Sequence, residues 1–346
     1  MTWQDDVLGA GFMARSIPLL DDDLGPTHAT LVRHDPSSDP LADPHSPAEP
    51  VFALLHLHGW NDYTHSHELP REIARIGGAF YGLDLRRYGR SLAADEFHGY
   101  IDSLSTYDEE IEAALAIIRE EHGDEIDVVL MGHSTGGLTA SLWAHRNPGA
   151  IRALILNAPW LETVGSAMVR TLGRPLVERI AKRDPTVALP LPEISMYHRI
   201  LTGWTDEDGE RPEDSDGDPF YDGWQLNPEW RKPAVPIRAG WLNAVVEGHT
   251  QVAEGLEISC PVLVLMSSKS LTLARWEPEM RSADTVLDVD LMAERAIHLG
   301  FHVTVVRIED AIHDVFLSRH SARTAALREI ERFAHGYILS RSGVPG

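Results

Sequence analysis

The pentapeptide Gly132-His133-Ser134-Thr135-Gly136 lies between the apolar run Val128-Val129-Leu130-Met131 and the helix-like stretch Gly137-Leu138-Thr139-Ala140-Ser141-Leu142-Trp143. That succession reads as a strand, a sharp turn and a helix. Such a turn forces its serine into a strained backbone conformation, and the flanking glycines stand where any β-carbon would collide with the neighbouring strand or helix. Ser134 is therefore the candidate nucleophile. Glycine and serine are common in ordinary turns, so the weight of the motif comes from its context.

The context is a repeated rhythm. Thr30-Leu31-Val32 suggests an early strand, and the proline- and aspartate-rich segment 35–50 a surface loop. Phe52 to Leu57 reads as a buried strand, Leu69 to Ile76 as a helix, Phe80 to Leu85 as a strand, and Tyr107 to Glu121 as a helix with Ile111, Ala114, Leu115 and Ile118 on one face. Val128 to Met131, the helix after Ser134 and Ala153 to Leu156 continue it. From about residue 159 to residue 259 the rhythm gives way to irregular sequence rich in proline, tryptophan and acid. It resumes at Pro261, with a strand from Val262 to Leu265, a helix from Leu291 to Leu299, a strand from Val303 to Val306 and a closing helix from Ala322 to Tyr337. Strands alternating with helices imply a mostly parallel sheet flanked by helices. The expected organisation is one α/β core in two parts, residues 1–158 and 260–346, interrupted between two of its strands by a cap of residues 159–259.

At 346 residues the chain is long enough to bury a sizeable core. A formal charge of −23 argues against nucleic acid and anionic membrane surfaces as partners, because their phosphates call for a lysine- and arginine-rich face. The single cysteine, Cys260, opens an apolar run and reads as a structural thiol. No stretch approaches the length of a membrane-spanning helix, and no secretory signal is visible at the N-terminus, so the expected location is the cytoplasm.

Serine is a poor nucleophile unless a base takes its proton and a third group orients that base. Ligands of open parallel sheets gather beyond the carboxyl ends of the strands, where post-strand loops deliver side chains. His313, in Glu309-Asp310-Ala311-Ile312-His313-Asp314 after the strand Val303 to Val306, has that address among 18 histidines. The supporting acid is expected after the preceding strand, where Asp284 and Asp288 are both available. An aspartate opening the following helix is needed for capping, a role that suits Asp288 or Asp290 by position. Asp284 is then the expected acid.

Leu57-His58-Gly59-Trp60, Gly82-Leu83-Asp84-Leu85-Arg86-Arg87-Tyr88-Gly89-Arg90-Ser91, Gly132 to Gly136, Asp284-Thr285-Val286 and His313-Asp314 stand in one order along the chain. Together they resemble the α/β-hydrolases, and within them the monoacylglycerol-lipase and lysophospholipase-like serine hydrolases. The resemblance covers residues 50 to 158 and 260 to 335. It implies a catalytic triad in which Ser134 attacks, His313 serves as base and then acid, and Asp284 orients His313. It further implies an oxyanion hole made by the backbone N–H groups of Trp60 and Thr135, no cofactor and no metal, and a small-molecule carboxylic ester as substrate. Two departures stand out: a tryptophan at position 60, where the family usually has a small residue, and the segment Ser267 to Arg281, longer than the usual loop before the acid.

The cap segment holds Trp160, Trp204, Trp224, Trp230 and Trp241, five of the nine tryptophans, which suits either acyl-chain contact or a small core of its own. It also carries the acidic stretch Asp206-Glu207-Asp208-Gly209-Glu210, continued by Glu213, Asp214, Asp216 and Asp218. That stretch reads as an exposed loop, since it lacks the full ligand set of a calcium loop. Three rivals to an esterase deserve weighing. His56, His58, Asp62, His65 and His67 could ligate zinc, although no known spacing fits. An aminopeptidase would use the same triad with the acidic cap holding the substrate ammonium. A non-catalytic binding protein could occupy the same fold.

Overall fold

The computed structural model describes residues 2–162, 174–190, 195–273 and 275–340. Within the expected cap, residues 163–173 and 191–194 thus lie outside the described residues. Nine strands form one sheet in the order β1-β2-β3-β5-β4-β6-β7-β8-β9. They are β1 (Gln4–Asp5), β2 (Phe12–Pro18), β3 (His28–His34), β4 (Phe52–Leu57), β5 (Gly78–Asp84), β6 (Asp127–His133), β7 (Ala153–Asn157), β8 (Val262–Ser267) and β9 (Val303–Ile308). The first three run antiparallel, β3 meets β5 antiparallel, and every pairing from β5 through β9 is parallel.

The parallel strands are apolar on both faces because helices cover both. Leu54, Val129, Met131, Ile155 and Leu263 face one apolar cluster; Leu55, Leu130, Leu154 and Val262 face the other. This is the period-two alternation of a pleated strand buried on either side. The helices between these strands are α1 (Glu68–Arg75), α2 (Asp108–His122) and α3 (Thr135–Arg146). Between β7 and β8 come α4 (Arg174–Arg183), α5 (Ser195–Leu201), α6 (Pro219–Asp222) and α7 (Ala239–Glu254), and after β8 come α8 (Val289–Ala296) and α9 (His320–Phe333). Among the described residues no helix is long and apolar enough to cross a membrane.

Two stretches differ from the sequence expectation. The N-terminal strands β1 and β2 carry no marked alternation, since only Phe12 and Ile17 of β2 are buried, and they are held by pairing onto β3 rather than by a strong apolar pattern of their own. The segment expected to be irregular ends in α7, a helix of 16 residues. Its apolar face uses Trp241, Ala244, Val245, Gly248 and Val252, in which the small Ala244 and Gly248 dilute the helical signal. That face joins the same cluster as Leu138, Leu142 and Trp143 of α3. Cys260 is buried, and burial pushes its thiol up to about 11, as suits a packed rather than a reactive cysteine.

Trp241 is only 2% exposed, and its ring centroid lies 4.0 Å from that of Trp60 and 6.1 Å from that of Trp160. Removing so large a buried side chain leaves a cavity that the surrounding helices cannot fully close. Trp241→Ala should lower unfolding free energy by about 3–5 kcal/mol, read from urea denaturation.

Candidate active site

Ser134 links β6 directly to α3, with φ 52° and ψ −115°. A non-glycine residue in that region is strained, and close packing holds it there. A β-carbon at Gly132 would lie 2.4 Å from the Gly136 carbonyl oxygen, and one at Gly136 would lie 2.3 Å from the His58 carbonyl oxygen. The Ser134 N–H donates to the Asn157 carbonyl (3.0 Å), while its own carbonyl accepts from Leu138 N (3.1 Å) and Trp160 N (2.9 Å). The turn is thus tied to the end of β7 on one side and to α3 on the other.

His313 arrives on the loop after β9. Its Nε2 lies 3.1 Å from Ser134 Oγ and its Nδ1 2.9 Å from Asp284 Oδ2. Asp284 is fully buried, and its other oxygen, Oδ1, accepts from the N–H groups of Val286 and Leu287, both at 2.8 Å. With two fixed donors on one oxygen, the other is left aimed at the imidazole. The structure therefore brings Ser134, His313 and Asp284 into one hydrogen-bonded chain. Asp288 sits at the N-terminus of α8, its carboxylate accepting from Asp290 N and Leu291 N.

The long segment before Asp284 is an excursion closed at its base. Asp284 N donates to the Lys269 carbonyl (2.9 Å) and Leu271 N to the Asp284 carbonyl (2.8 Å), so the extra length leaves the acid in place. The excursion carries Arg281, fully buried, onto Asp208, with Nε 2.8 Å from the carboxylate. Part of the acidic stretch is consequently structural, contrary to the exposed loop expected. Asp208 is buried, and Asp218 caps α6 while pairing with Arg323 at 2.8 Å.

Thr135 opens α3 directly after Ser134, and Trp60 lines the cavity beside Ser134, with no turn or loop bond from its backbone N–H to a backbone carbonyl among the described residues. A cavity of about 120 Å³ opens over Ser134 and His313, bounded by Trp60, Asn61, Asp62, Tyr197, Arg231 and Lys232, among others. Trp60 stands edge-on to Tyr88 and His98 as well as against Trp241. None of the five cap tryptophans weighed for acyl contact lines this space. Trp224 instead donates its indole N–H to the Leu317 carbonyl, and Trp204 packs on Tyr221. A larger cavity of about 620 Å³ beside α1 touches none of the three chain members, so size alone would have misplaced the site.

The residues of the zinc reading are dispersed among separate contacts. His58 receives the Leu85 N–H at Nε2 and donates from Nδ1 to the Gly59 carbonyl. His67 meets the Leu8 carbonyl, and burial holds the His56 imidazole down to about 3. Asp62, His133 and Asp314 do converge, all buried, with potential ligand atoms within 4.8 Å of one another. Each of the three already has a partner of its own, however. Asp62 pairs with Arg231 at 2.5 Å, Asp314 accepts from Asn157 Nδ2 at 2.7 Å, and His133 Nδ1 donates to the Asn157 carbonyl. Sequence reasoning missed Asn157 and Arg231, which carry no motif; Asp314 gave a signal only through adjacency to His313.

Burial alone would raise the Asp62 carboxyl, but the Arg231 guanidinium, seconded by His65, holds it well below the usual carboxylate range. A depressed folded-state value means that the pair stabilises the fold above the ordinary aspartate value near 4 and loses this contribution as pH falls through the folded value. Arg231→Met should therefore cost about 3–5 kcal/mol near neutral pH, because it strands a buried charge. In urea titrations the gap to the parent should narrow in acid, and adding Asp62→Asn to the variant should recover part of the loss.

The family model described as serine aminopeptidase, S33, matches residues 48–271, a span that contains Ser134 and ends before Asp284 and His313. Among solved structures, a monoacylglycerol lipase from Paleococcus ferrophilus aligns at 18% identity and TM-score 0.57, over 84% of this chain and 96% of that one. A soluble variant of the monoglyceride lipase from Saccharomyces cerevisiae, in complex with a substrate analogue, aligns at 13% and 0.55, over 97% and 94%. A thermostable carboxyl esterase from Bacillus coagulans aligns at 15% and 0.57, over 94% and 99%. At these identities the likeness is one of fold, and it is the α/β-hydrolase fold. No curated protein matches the sequence.

Proposed function

Because the chain belongs to the family described as serine aminopeptidase, S33, we propose that it is a serine hydrolase cleaving carboxylic esters through an acyl-enzyme on Ser134. The observation that carries this reading is the continuous chain from Asp284 through His313 to Ser134 at the floor of a cavity. Ser134 Oγ attacks the ester carbonyl carbon as His313 Nε2 takes its proton. The negative charge gathers on the former carbonyl oxygen, where the N–H groups of Trp60 and Thr135 stabilise it; each such donor is worth about 3 kcal/mol in the transition state. Collapse breaks the bond to the alcohol, which leaves with the proton from His313. Water, deprotonated by His313, then attacks the acyl carbon and releases acid and free serine.

Residues 159–259 act in this reading as a cap, with α7 rooted in the core and the segment from α5 to α6 above the site. Tyr197 of α5 supports that role, since its ring stands edge-on to His313 at 5.4 Å. The family description keeps an aminopeptidase in view. The charge arrangement favours the ester, because the one carboxylate lining the cavity other than through His313, Asp62, is already held by Arg231 and is poorly placed to take a substrate ammonium.

Ser134→Ala should abolish labelling by a fluorophosphonate and reduce ester turnover to background while leaving the folded signal intact. Asp284→Asn should cut kcat/KM by about 10³-fold or more, because an amide does not stabilise the imidazolium, whereas Asp288→Asn keeps a good helix cap and should cost little. Labelling or turnover that survives in pure Ser134→Ala would overturn the serine mechanism, and faster cleavage of aminoacyl amides than of esters would move the assignment to the peptidase.

The small cavity, about 120 Å³, and the bulk of Trp60 at its wall favour short acyl groups. Trp60→Ala should shift preference across a series of alkanoyl esters toward longer chains; an unchanged chain-length profile would show that the indole does not limit the pocket.

A further inference from the structure

Among the residues that line the cavity over Ser134, formal charges leave one positive in excess, in a chain whose formal charge is −23, while the carboxylates of Asp284 and Asp314 stand behind His313 and His133. Asp62 and Arg231, both buried, cancel each other at 2.5 Å. The next residue, Lys232, is one of only three lysines in the chain, lines the same cavity and is exposed at its mouth. No carboxylate among the described residues pairs with its ammonium group. Of the acidic stretch in the same segment, Glu207 pairs with Arg199, Asp208 with Arg281, Asp218 with Arg323 and Asp222 with Arg211, and none of these carboxylates lines the cavity.

Lys232 is also held in place. Asn61 Nδ2 donates to the Lys232 carbonyl (2.6 Å), and Lys232 N donates to Asn61 Oδ1 (3.2 Å). Asn61 itself takes a left-handed backbone, φ 53°, directly after Trp60. The lysine backbone is thereby clamped to the loop that carries one of the two candidate oxyanion donors. That backbone anchor sets the lysine side chain at the mouth of the small cavity that holds Ser134 and His313.

We propose that Lys232 recognises an anion on the substrate, so that the preferred esters carry a carboxylate or comparable negative group close to the bond that is cut. This inference rests on the hydrolase reading and adds the substrate class to it. The anionic group lies on the acyl side or on the alcohol side, and paired substrates separate the two. Monomethyl succinate against methyl pentanoate tests the acyl side; the butyric ester of glycolate against propyl butyrate tests the alcohol side.

For at least one pair, the kcat/KM ratio of anionic to neutral ester should be well above one at low salt and fall about five- to ten-fold in Lys232→Met. Raising ionic strength from about 0.02 M to about 0.5 M should lower the ratio in the parent and leave it flat in the variant. Lys182→Met, which removes the same charge from exposed α4, should leave the ratio where it was. Calorimetric binding of the same esters to Ser134→Ala reads recognition apart from chemistry, and there Lys232→Met should weaken the anionic ester selectively. Ratios at or below one in both pairs, or a ratio that Lys232→Met does not alter, would overturn the proposal while leaving ester hydrolysis standing. Selective binding lost in Lys232→Met, with no ester turned over by the parent, would support the anion site and overturn the hydrolase reading instead.

Discussion

The approach of the β6–α3 turn to the His58 carbonyl is closer than any β-carbon would allow, and the geometry around Ser134 depends on it. At Gly136 such an atom would lie 2.3 Å from that oxygen. Because the neighbours on both sides are backbone, they cannot swing away as a flexible side chain would. The contact fixes where α3 begins, which keeps Ser134 at φ 52° and brings the first amide of the helix, that of Thr135, beside its hydroxyl. Strain of this kind costs of order 1–3 kcal/mol and persists only where surrounding packing over-determines it. Here the packing is the sheet itself, with β4 and β7 flanking β6.

Two buried polar residues extend this control to the loops. Asn157, at the end of β7, accepts the Ser134 N–H on its carbonyl, donates its side-chain amide to Asp314 and receives Val315 N on its side-chain oxygen. One residue thus references the loop of His313 to the turn of Ser134. Asp84, at the end of β5, does the same for the loop after β4. It accepts from Thr64 N at 2.7 Å and from Arg90 through both backbone and guanidinium, and Arg90 in turn pairs with Asp6 beyond β1. The N-terminal strands, which contribute little apolar burial, therefore brace the loop that presents Trp60. The segment between β7 and β8 is joined to the core by a different device, the buried Arg281–Asp208 pair and the apolar cluster of Tyr197, Ile200, Phe220, Ile312 and Leu317.

Much of this was legible in the residues. The alternation of apolar runs and amphipathic stretches marked the parallel strands from β4 to β9 and the helices between them, because strands buried on both faces must be apolar throughout and helices on one side only. The turn around Ser134 was legible because only glycine tolerates such spacing, and His313 because one loop after a late strand is the address for a base. The sequence could not show β1 and β2, whose stability comes from pairing rather than pattern, nor α7, where alanine and glycine interrupt the apolar face that packs against α3.

What the sequence by itself determined was the order of the parts: a sheet with a strained serine at one strand end, a histidine loop later, and an acid between them. Position favoured Asp284 over Asp288, but only tertiary structure brings its carboxylate to His313: both follow the same strand, and the bridge between Lys269 and Asp284 closes the long excursion and turns that carboxylate to the imidazole. Tertiary structure also decided the fate of the charges. A linear reading sees an acidic cap, but folding sets Asp208 and Asp218 against arginines from distant segments and leaves a lysine at the cavity. Ion pairing depends on distances of a few ångströms between residues remote in the chain, and no local pattern encodes those.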